Sequence, residues 1–157
     1  METFEKAVED VKAGGGNVLL GGERIKEGDL GRGLFVKPTI VEAPLDNRVW
    51  KEELFVPFVA VAPVESLDEA LDRANDTEYG LTAGFYSEDK AEVDKFLQRI
   101  EAGVVYVNRK AGATTGAWPG MQPFGGWKGS GTTGKAGGGP HYVEQYMHEQ
   151  SQTVIED

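Results

Sequence analysis

Hydrophobic positions at the start of the chain repeat with a helical period. Thr3 can cap a helix whose apolar residues fall on one face. These residues are Phe4, Ala7, Val8 and Val11. Three glycines, Gly14–Gly16, are expected to end this helix. The apolar run at residues 18–20 then predicts a short buried strand.

The pattern from residue 21 onward changes to extended segments. Residues 21–33 are polar and contain glycines, which predicts a turn or hairpin. Residues 34–41 predict a strand that Pro38 restricts to an edge or a bulge. Residues 55–64 form the longest apolar run and predict a strand buried on both faces.

Two further helices are predicted between short strands. Ser66 and Glu69 have the spacing of a capping box, and apolar residues of one stripe follow them. These residues are Leu67, Ala70, Leu71 and Ala74. Ser87 is expected to cap the next helix, between strands at residues 83–86 and 104–107. Its predicted buried residues are Ala91, Phe96, Leu97 and Ile100.

Alternating strands and helices predict an α/β fold with a mostly parallel sheet covered by helices. Residues 111–140 are rich in Gly and Thr and have no clear period, which predicts a long loop, and a loop of this length is usually functional. Residues 143–155 have a weak alternating pattern that predicts a final strand.

Composition narrows the possible functions. The 157 residues carry a formal net charge of −10, which disfavours binding to nucleic acid or to an anionic membrane. No apolar run is long enough to span a bilayer, and the charged start lacks a signal-peptide pattern, so we expect a cytoplasmic protein. The chain has no cysteine and only two histidines, so no metal site and no thiol nucleophile are predicted.

Residues 129–135 nearly match two phosphate-binding motifs. They contain G-x-G-x-x-G and most of a Walker motif, but Ala136 stands where that motif has Ser or Thr. Such motifs bind phosphate between a strand and a helix, and the run of glycines followed by Pro140 cannot start a helix. Tight turns and close backbone approach are the favoured explanation for these glycines.

Several longer motifs lie in one order along the chain. They are E-E-L-F-V-P at 52–57, N-D-T-E-Y-G-L-T-A-G at 75–84, V-N-R at 107–109, Q-P-F-G-G at 122–126, S-G-T at 130–132 and K-A-G-G at 135–138. In this order they resemble the C-terminal part of the catalytic domain of the aldehyde dehydrogenase superfamily. The resemblance is strongest to its Δ1-pyrroline-5-carboxylate (glutamate semialdehyde) branch.

The resemblance implies roles for five residues. Glu53 would accept hydrogen bonds from the nicotinamide ribose, and Phe55 would pack beside the nicotinamide ring. Gly116 and Ala117 would bind the substrate carboxylate through backbone N–H groups. Phe124 would form one wall of the aldehyde pocket. Without the resemblance, Glu53 is consistent with a solvated charge, and Phe55 and Phe124 are consistent with core residues.

The family's reaction needs a cysteine nucleophile, a glutamate that activates water, and a Rossmann domain that binds NAD or NADP. In the family these lie upstream of the matched part. No catalytic residue is therefore predicted within this chain, and it is expected to be inactive without a missing N-terminal half.

The resemblance also predicts how the chain assembles. Residues 1–142 would be a partial catalytic domain, and residues 143–157 an oligomerisation strand that joins the sheet of a neighbouring subunit. Because an unpaired strand edge favours self-association, a homo-oligomer is expected. A second hypothesis is a non-catalytic remnant that binds a small carboxylate or a partner subunit.

Overall fold

The computed structural model describes residues 1–110, 117–118, 120–131 and 136–156. Within these ranges the α-helices are α1 (Glu2–Ala13), α2 (Leu67–Asn75) and α3 (Lys90–Arg99). The strands are β1 (Asn17–Leu20), β2 (Thr39–Glu42), β3 (Phe58–Val61), β4 (Tyr79–Gly80), β5 (Thr82–Phe85), β6 (Val104–Val107) and β7 (Trp127–Lys128). Short 3-10 helices span Asp29–Arg32, Arg48–Trp50 and Val143–Tyr146. The chain folds as two compact units, Met1–Arg73 and Ala74–Asp157.

Helix α1 presents the apolar face that its sequence predicts. All four predicted residues, Phe4, Ala7, Val8 and Val11, are buried. The helix begins two residues earlier than predicted, because Met1 rather than Thr3 occupies the N-cap position. It ends at the first glycine, where the Gly14 N–H donates to the Asp10 carbonyl oxygen at 2.9 Å.

The first unit contains a three-stranded sheet in the order β1-β2-β3. Strand β1 runs antiparallel to β2, and β2 runs parallel to β3. Val11 of α1 packs with Val41 of β2 and Ala43 in a fully buried cluster. Partly buried residues complete this core, namely Val18, Val49, Trp50, Phe58 and Ala60. The helix therefore covers one face of the sheet.

The other face of this sheet is apolar and exposed. Leu20 pairs with Ile40, and Ile40 pairs with Val59, so the three side chains share a face. Their exposed fractions are 57%, 36% and 56%. The prediction that β1 and β3 are buried is thus wrong on this face. A continuous apolar run does not distinguish a strand covered on two faces from one covered on a single face.

The predicted hairpin between β1 and β2 is confirmed. The Ile25 N–H donates to the Phe35 carbonyl oxygen, and the Lys37 N–H donates to the Glu23 carbonyl oxygen. Strand β2 begins at Thr39, directly after Pro38, because proline has no N–H to donate to a ladder. It is paired on both sides in the middle of the sheet, so the edge position predicted for it is wrong.

Helix α2 begins with the predicted capping interactions. The Ser66 hydroxyl accepts a hydrogen bond from the Glu69 N–H at 3.2 Å. In return the Glu69 carboxylate accepts from the backbone N–H of Glu65 at 3.0 Å. Of the predicted apolar stripe, Leu71 is buried and Ala74 is exposed.

The second unit is organised around a strand-helix-strand unit. Strands β5 and β6 pair in parallel, and α3 connects them, as predicted. The N-cap of α3 is Asp89 rather than Ser87, since the Asp89 carboxylate accepts from two helix N–H groups. Ser87 instead accepts from the Asp89 N–H at 3.0 Å. Phe96 on α3 and Ile100 at its C-cap are buried as predicted, whereas Ala91 and Leu97 are exposed.

The α/β fold is observed, but the prediction of a mostly parallel sheet is wrong. Among the described residues, two strand pairs are parallel and two are antiparallel, and the antiparallel pairs are β1 with β2 and β4 with β7. The predicted long loop at residues 111–140 contains β7 and a bridge between Phe124 and Gly137.

The end of the chain lacks the predicted strand. Residues 143–146 form a 3-10 helix instead, and residues 147–156 contain no helix or strand. A strand added to another subunit's sheet would find its hydrogen-bonding partners only there. The domain boundary expected after residue 142 stays a prediction. No helix in the described ranges combines the length and apolar character needed to cross a bilayer.

Candidate functional site

A set of polar contacts fixes the carboxyl ends of strands β5 and β6. Asn108 directly follows β6 and has a positive φ of 53°. Its side-chain amide accepts from the Ser87 N–H at 3.0 Å and donates to the Ser87 carbonyl oxygen at 2.8 Å. Its own N–H donates to the Phe85 carbonyl oxygen. Asparagine suits this place, because it tolerates the left-handed region and its side chain bonds nearby backbone.

The next residue, Arg109, lies among aromatic side chains. Its guanidinium carbon is 5.9 Å from the centroid of the Tyr106 ring and 5.8 Å from that of Trp118. The Tyr86 hydroxyl donates to the Arg109 carbonyl oxygen at 2.6 Å. These distances are within the range of cation–π attraction.

The predicted carboxylate anchor follows this cluster. Gly116 lies outside the described residues, whereas Ala117 is described and is only 8% exposed. In the next residue, the Trp118 N–H donates to the Gln122 side-chain oxygen at 3.1 Å. The Met121 and Gln122 N–H groups donate to the Trp118 carbonyl oxygen. Ala117 is thus buried and directly precedes a hydrogen-bonded turn that begins at Trp118.

Phe124 lines an open concavity of about 600 Å³ in the second unit. Its lining includes Gly103, Gly125, Trp127, Ser130 and His141. Phe124 is half-buried, and its backbone N–H and C=O pair with those of Gly137 at 2.7 and 2.9 Å. The ring is therefore fixed at a cavity wall and is not fully enclosed in a core.

The glycine-rich segment does not leave its described amides available for phosphate. The Gly129 N–H donates to the Glu78 carbonyl oxygen at 2.8 Å, and the Ser130 N–H donates to that of Trp127 at 3.0 Å. The Ser130 hydroxyl in turn accepts from the Gly80 N–H. These glycines serve tight turns and close packing, as expected. The end of both phosphate-like motifs, residues 132–135, lies outside the described residues.

Glu53 and Phe55 lie in the first unit, in a segment without helix or strand. Both are exposed, and the Phe55 side chain is 89% exposed at a positive φ of 51°. After it, the Phe58 N–H donates to the Val56 carbonyl oxygen at 2.7 Å in a tight turn. The predicted strand therefore starts only at Phe58. Phe55 is not a core residue, since its ring projects into solvent.

An ion-pair network fixes the backbone just before Glu53. The Arg48 guanidinium pairs with the Asp10 carboxylate of α1 and with that of Glu52. The hydrogen bond from Arg48 to Asp10 is the main reason that the pKa of Arg48 is raised above its ordinary value. The Trp50 indole N–H donates to the Pro44 carbonyl oxygen at 2.9 Å. Glu53 and Phe55 are therefore exposed, but the backbone just before them is held in place by these contacts.

Sequence reasoning missed the contribution of Tyr86, Arg109 and Trp118. The only signal was the V-N-R block, which places Asn108 and Arg109 directly after a strand. Positions that follow parallel strands commonly form ligand sites in α/β proteins. The pairing of Arg109 with Trp118 could not be read from the sequence, because no short motif or periodicity joins these two positions.

Comparison with known proteins covers nearly the entire chain. The family model described as "Aldehyde dehydrogenase family" matches residues 1–152. A 1-pyrroline-5-carboxylate dehydrogenase from Bacillus cytotoxicus is 42% identical over 98% of this chain. The chain spans only 28% of that relative's length.

Solved structures agree with this match. The 1-pyrroline-5-carboxylate dehydrogenase from Thermus with bound NAD superposes with a TM-score of 0.75 at 40% identity, over 86% of this chain and 25% of that one. A 3,6-anhydro-L-galactose dehydrogenase with bound NADP superposes with a TM-score of 0.81 at 30% identity, over 92% of this chain and 29% of that one. On the family match and these similarities, the chain belongs to the aldehyde dehydrogenase family.

Proposed function

We propose that this chain is part of an enzyme that oxidises glutamate semialdehyde, the open form of 1-pyrroline-5-carboxylate, to glutamate with NAD or NADP. The observation that carries the proposal is the 42% identity over 98% of the chain to a 1-pyrroline-5-carboxylate dehydrogenase. Because the chain spans 28% of that relative's length, it supplies one part of the enzyme.

The second unit would bind the substrate. Gly116 and Ala117 would donate backbone N–H groups to the α-carboxylate, since small residues let an anion approach the backbone. The burial of Ala117 and the turn behind it support a rigid anchor. Phe124, at the wall of the 600 Å³ concavity, would contact the aliphatic part of the substrate.

The first unit would contribute one edge of the cofactor site. NAD or NADP, when bound, supplies the acceptor for the hydride that leaves the aldehyde carbon. The exposed Glu53 carboxylate can accept hydrogen bonds from two neighbouring ribose hydroxyls. The Phe55 ring can cover an aromatic ring face, and its 89% exposure leaves that face available.

The nucleophile must come from outside these 157 residues, because the chain contains no cysteine. A neighbouring polypeptide segment would also supply the water-activating glutamate and the Rossmann domain. We further propose that the exposed tail, in which Val154 is 80% and Ile155 is 87% exposed, joins copies of the assembled cytoplasmic enzyme. Light scattering on a size-exclusion column tests this, and a clean monomer would contradict it.

Turnover tests the proposal directly. The chain alone is expected to produce no NADH from glutamate semialdehyde. Addition of a polypeptide with the remaining sequence of the Bacillus cytotoxicus relative is expected to restore production. Turnover by the chain alone, or none in the mixture despite complex formation, would contradict the proposal.

Titration calorimetry with L-glutamate tests the anchor separately from turnover. Gly116→Leu is expected to abolish glutamate binding, because a side chain there would block access to the backbone N–H groups. Gly120→Leu is the matched control, since no atom lies within 4 Å of a Cβ built at that position. Equal binding by both variants would exclude Gly116 from the anchor.

A further inference from the structure

We propose that Arg109 is a positioning residue that fixes the backbone on both sides of the carboxylate anchor. Its guanidinium lies 5.9 Å from the Tyr106 ring centroid and 5.8 Å from the Trp118 ring centroid. Arg109 precedes residues 111–116 in the chain, and Trp118 follows them. The cation therefore joins the two ends of the anchor segment. The link to substrate binding rests on the function proposed above.

Arg109 with the Tyr106 and Trp118 rings is called the clamp below. Its near end, at Arg109, is held by strands β5 and β6. The Tyr86 hydroxyl bonds the Arg109 carbonyl oxygen at 2.6 Å, and the Asn108 amide makes two hydrogen bonds with the Ser87 backbone. The guanidinium thus extends from a backbone that cannot shift without breaking these contacts. Such support keeps a functional group in position.

Tyr106, the first ring of the clamp, is also fixed. It lies in β6, beside β5, and pairs in register with Gly84. A Cβ built at Gly84 would collide with the Tyr106 ring. The ring therefore lies against β5 in the space that glycine leaves open, and offers its face to Arg109.

The far end of the clamp connects to the proposed anchor. Trp118 is 65% exposed, so packing alone does not hold its ring. Its backbone is bonded at both N–H and C=O to residues of the following turn. Loss of the contact between Arg109 and the Trp118 ring is therefore expected to loosen the backbone next to Ala117, whose N–H is proposed to bind the carboxylate.

The chemistry favours arginine at position 109. A guanidinium is planar and permanently charged, and it can interact with two rings at once. Lysine keeps the charge but has a compact, strongly hydrated head group that cannot stack. Comparison of the two residues therefore separates the clamp from a simple charge effect.

Hydrogen exchange on the full chain tests the clamp without any ligand. In Arg109→Ala, the amides of Trp118, Met121 and Gln122, which are hydrogen-bonded in the turn, are expected to exchange about tenfold faster, as fits the loss of two cation–π contacts. Trp118→Ala should give a similar increase, and the double variant little more than either. Trp118→Phe keeps a ring and should remain within about twofold of the wild type.

Lys110→Ala is the matched control, because it removes an exposed positive charge from the adjacent position. It should leave the exchange of Trp118, Met121 and Gln122 unchanged, and β5 and β6 should stay protected in every variant. Unprotected amides at Trp118, Met121 and Gln122 in the wild type, or equal effects of Lys110→Ala and Arg109→Ala, would overturn the clamp. Loss of β5 and β6 protection in Arg109→Ala would show a folding role instead, and would also overturn it.

Glutamate titration then tests what the clamp positions. Arg109→Ala is expected to weaken glutamate binding about tenfold, Arg109→Lys to give an intermediate loss, and Lys110→Ala none. Unchanged binding in Arg109→Ala would overturn the positioning role even if exchange is faster. If the wild type binds no glutamate, the proposed anchor fails and the positioning role fails with it. The exchange data then still decide whether the clamp exists.

Discussion

The rings of Phe85 and Phe96 stack with their centroids 4.9 Å apart and their planes inclined by 16°. Phe85 ends strand β5, and Phe96 is the buried residue of α3. The same strand end accepts the Asn108 N–H through the Phe85 carbonyl oxygen. One aromatic pair therefore joins the helix to the strand end from which the candidate site begins.

Removal of this contact should destabilise the second unit strongly. Phe96→Ala is expected to lower the free energy of unfolding by about 3–5 kcal/mol, because Phe96 is buried and its loss leaves a cavity. Leu97→Ala is the control on the same helix, and its 49% exposed side chain should cost about 1 kcal/mol or less. Urea unfolding followed by circular dichroism measures both. Similar losses for the two variants would contradict the importance of the stacked pair.

Gly103 should tolerate no side chain. A Cβ there would collide with the Gly125 carbonyl oxygen and approach the Gly126 Cα to 2.9 Å, and both are backbone atoms. Gly103→Ala is expected to cost about 1–3 kcal/mol of unfolding free energy. Gly120→Ala, with open space at its Cβ, should be nearly neutral. A melting temperature of Gly103→Ala equal to that of Gly120→Ala would show that the glycine-rich segment can move away.

The ion pair of Glu23 and Lys37 should be visible in a pH titration. The Lys37 ammonium lies 2.5 Å from the Glu23 carboxylate, and this hydrogen bond holds the pKa of Glu23 below its ordinary value of 4.5. A pKa lowered in the folded state adds stability above the unfolded pKa, and that stability is lost as the pH falls through the folded pKa. Lys37→Met should raise the pKa of Glu23 toward 4.5, whereas Lys37→Arg should keep it low. Carboxyl chemical shifts measured by NMR test this, and an unchanged pKa in Lys37→Met would refute the pairing.

Phe55 is expected to lower the stability of the folded chain and to contribute to NAD binding. Its φ of 51° is unfavourable for a residue with a Cβ, and its 89% exposed ring makes little packing contact. Phe55→Gly is therefore expected to raise the free energy of unfolding by about 1 kcal/mol. In the reconstituted enzyme the same variant should weaken NAD binding. A clear loss of stability would instead assign Phe55 to packing.

Much of the fold could be predicted because its signals are local. The buried face of α1, the capping box at Ser66 and the parallel pair of β5 and β6 all follow from spacing within a few residues. The exposure of Leu20 and Val59 could not be predicted, because it depends on whether anything covers the second sheet face. Ser87 was a reasonable cap candidate, but Asp89 lies two residues nearer to the helix and bonds its N–H groups.

The candidate site could be predicted only in part. The motifs pointed to Ala117 and Phe124, which the structure places directly before a tight turn and on a cavity wall. The binding roles of all five candidate residues stay predictions. The contact between Arg109 and Trp118 joins residues across a loop, and no periodicity or short motif encodes such a contact.

Two copies of this chain that meet at Leu20, Ile40 and Val59 would remove apolar surface from water, which favours association. The formal charge of −10 on each copy opposes their approach. At physiological salt this repulsion extends only about 8 Å, and it disappears near pH 4.7, where protonation of carboxylates brings the net charge to zero. Ionic strength and pH therefore control whether copies of the chain stay separate in solution. Copies should first associate in high salt or in mild acid.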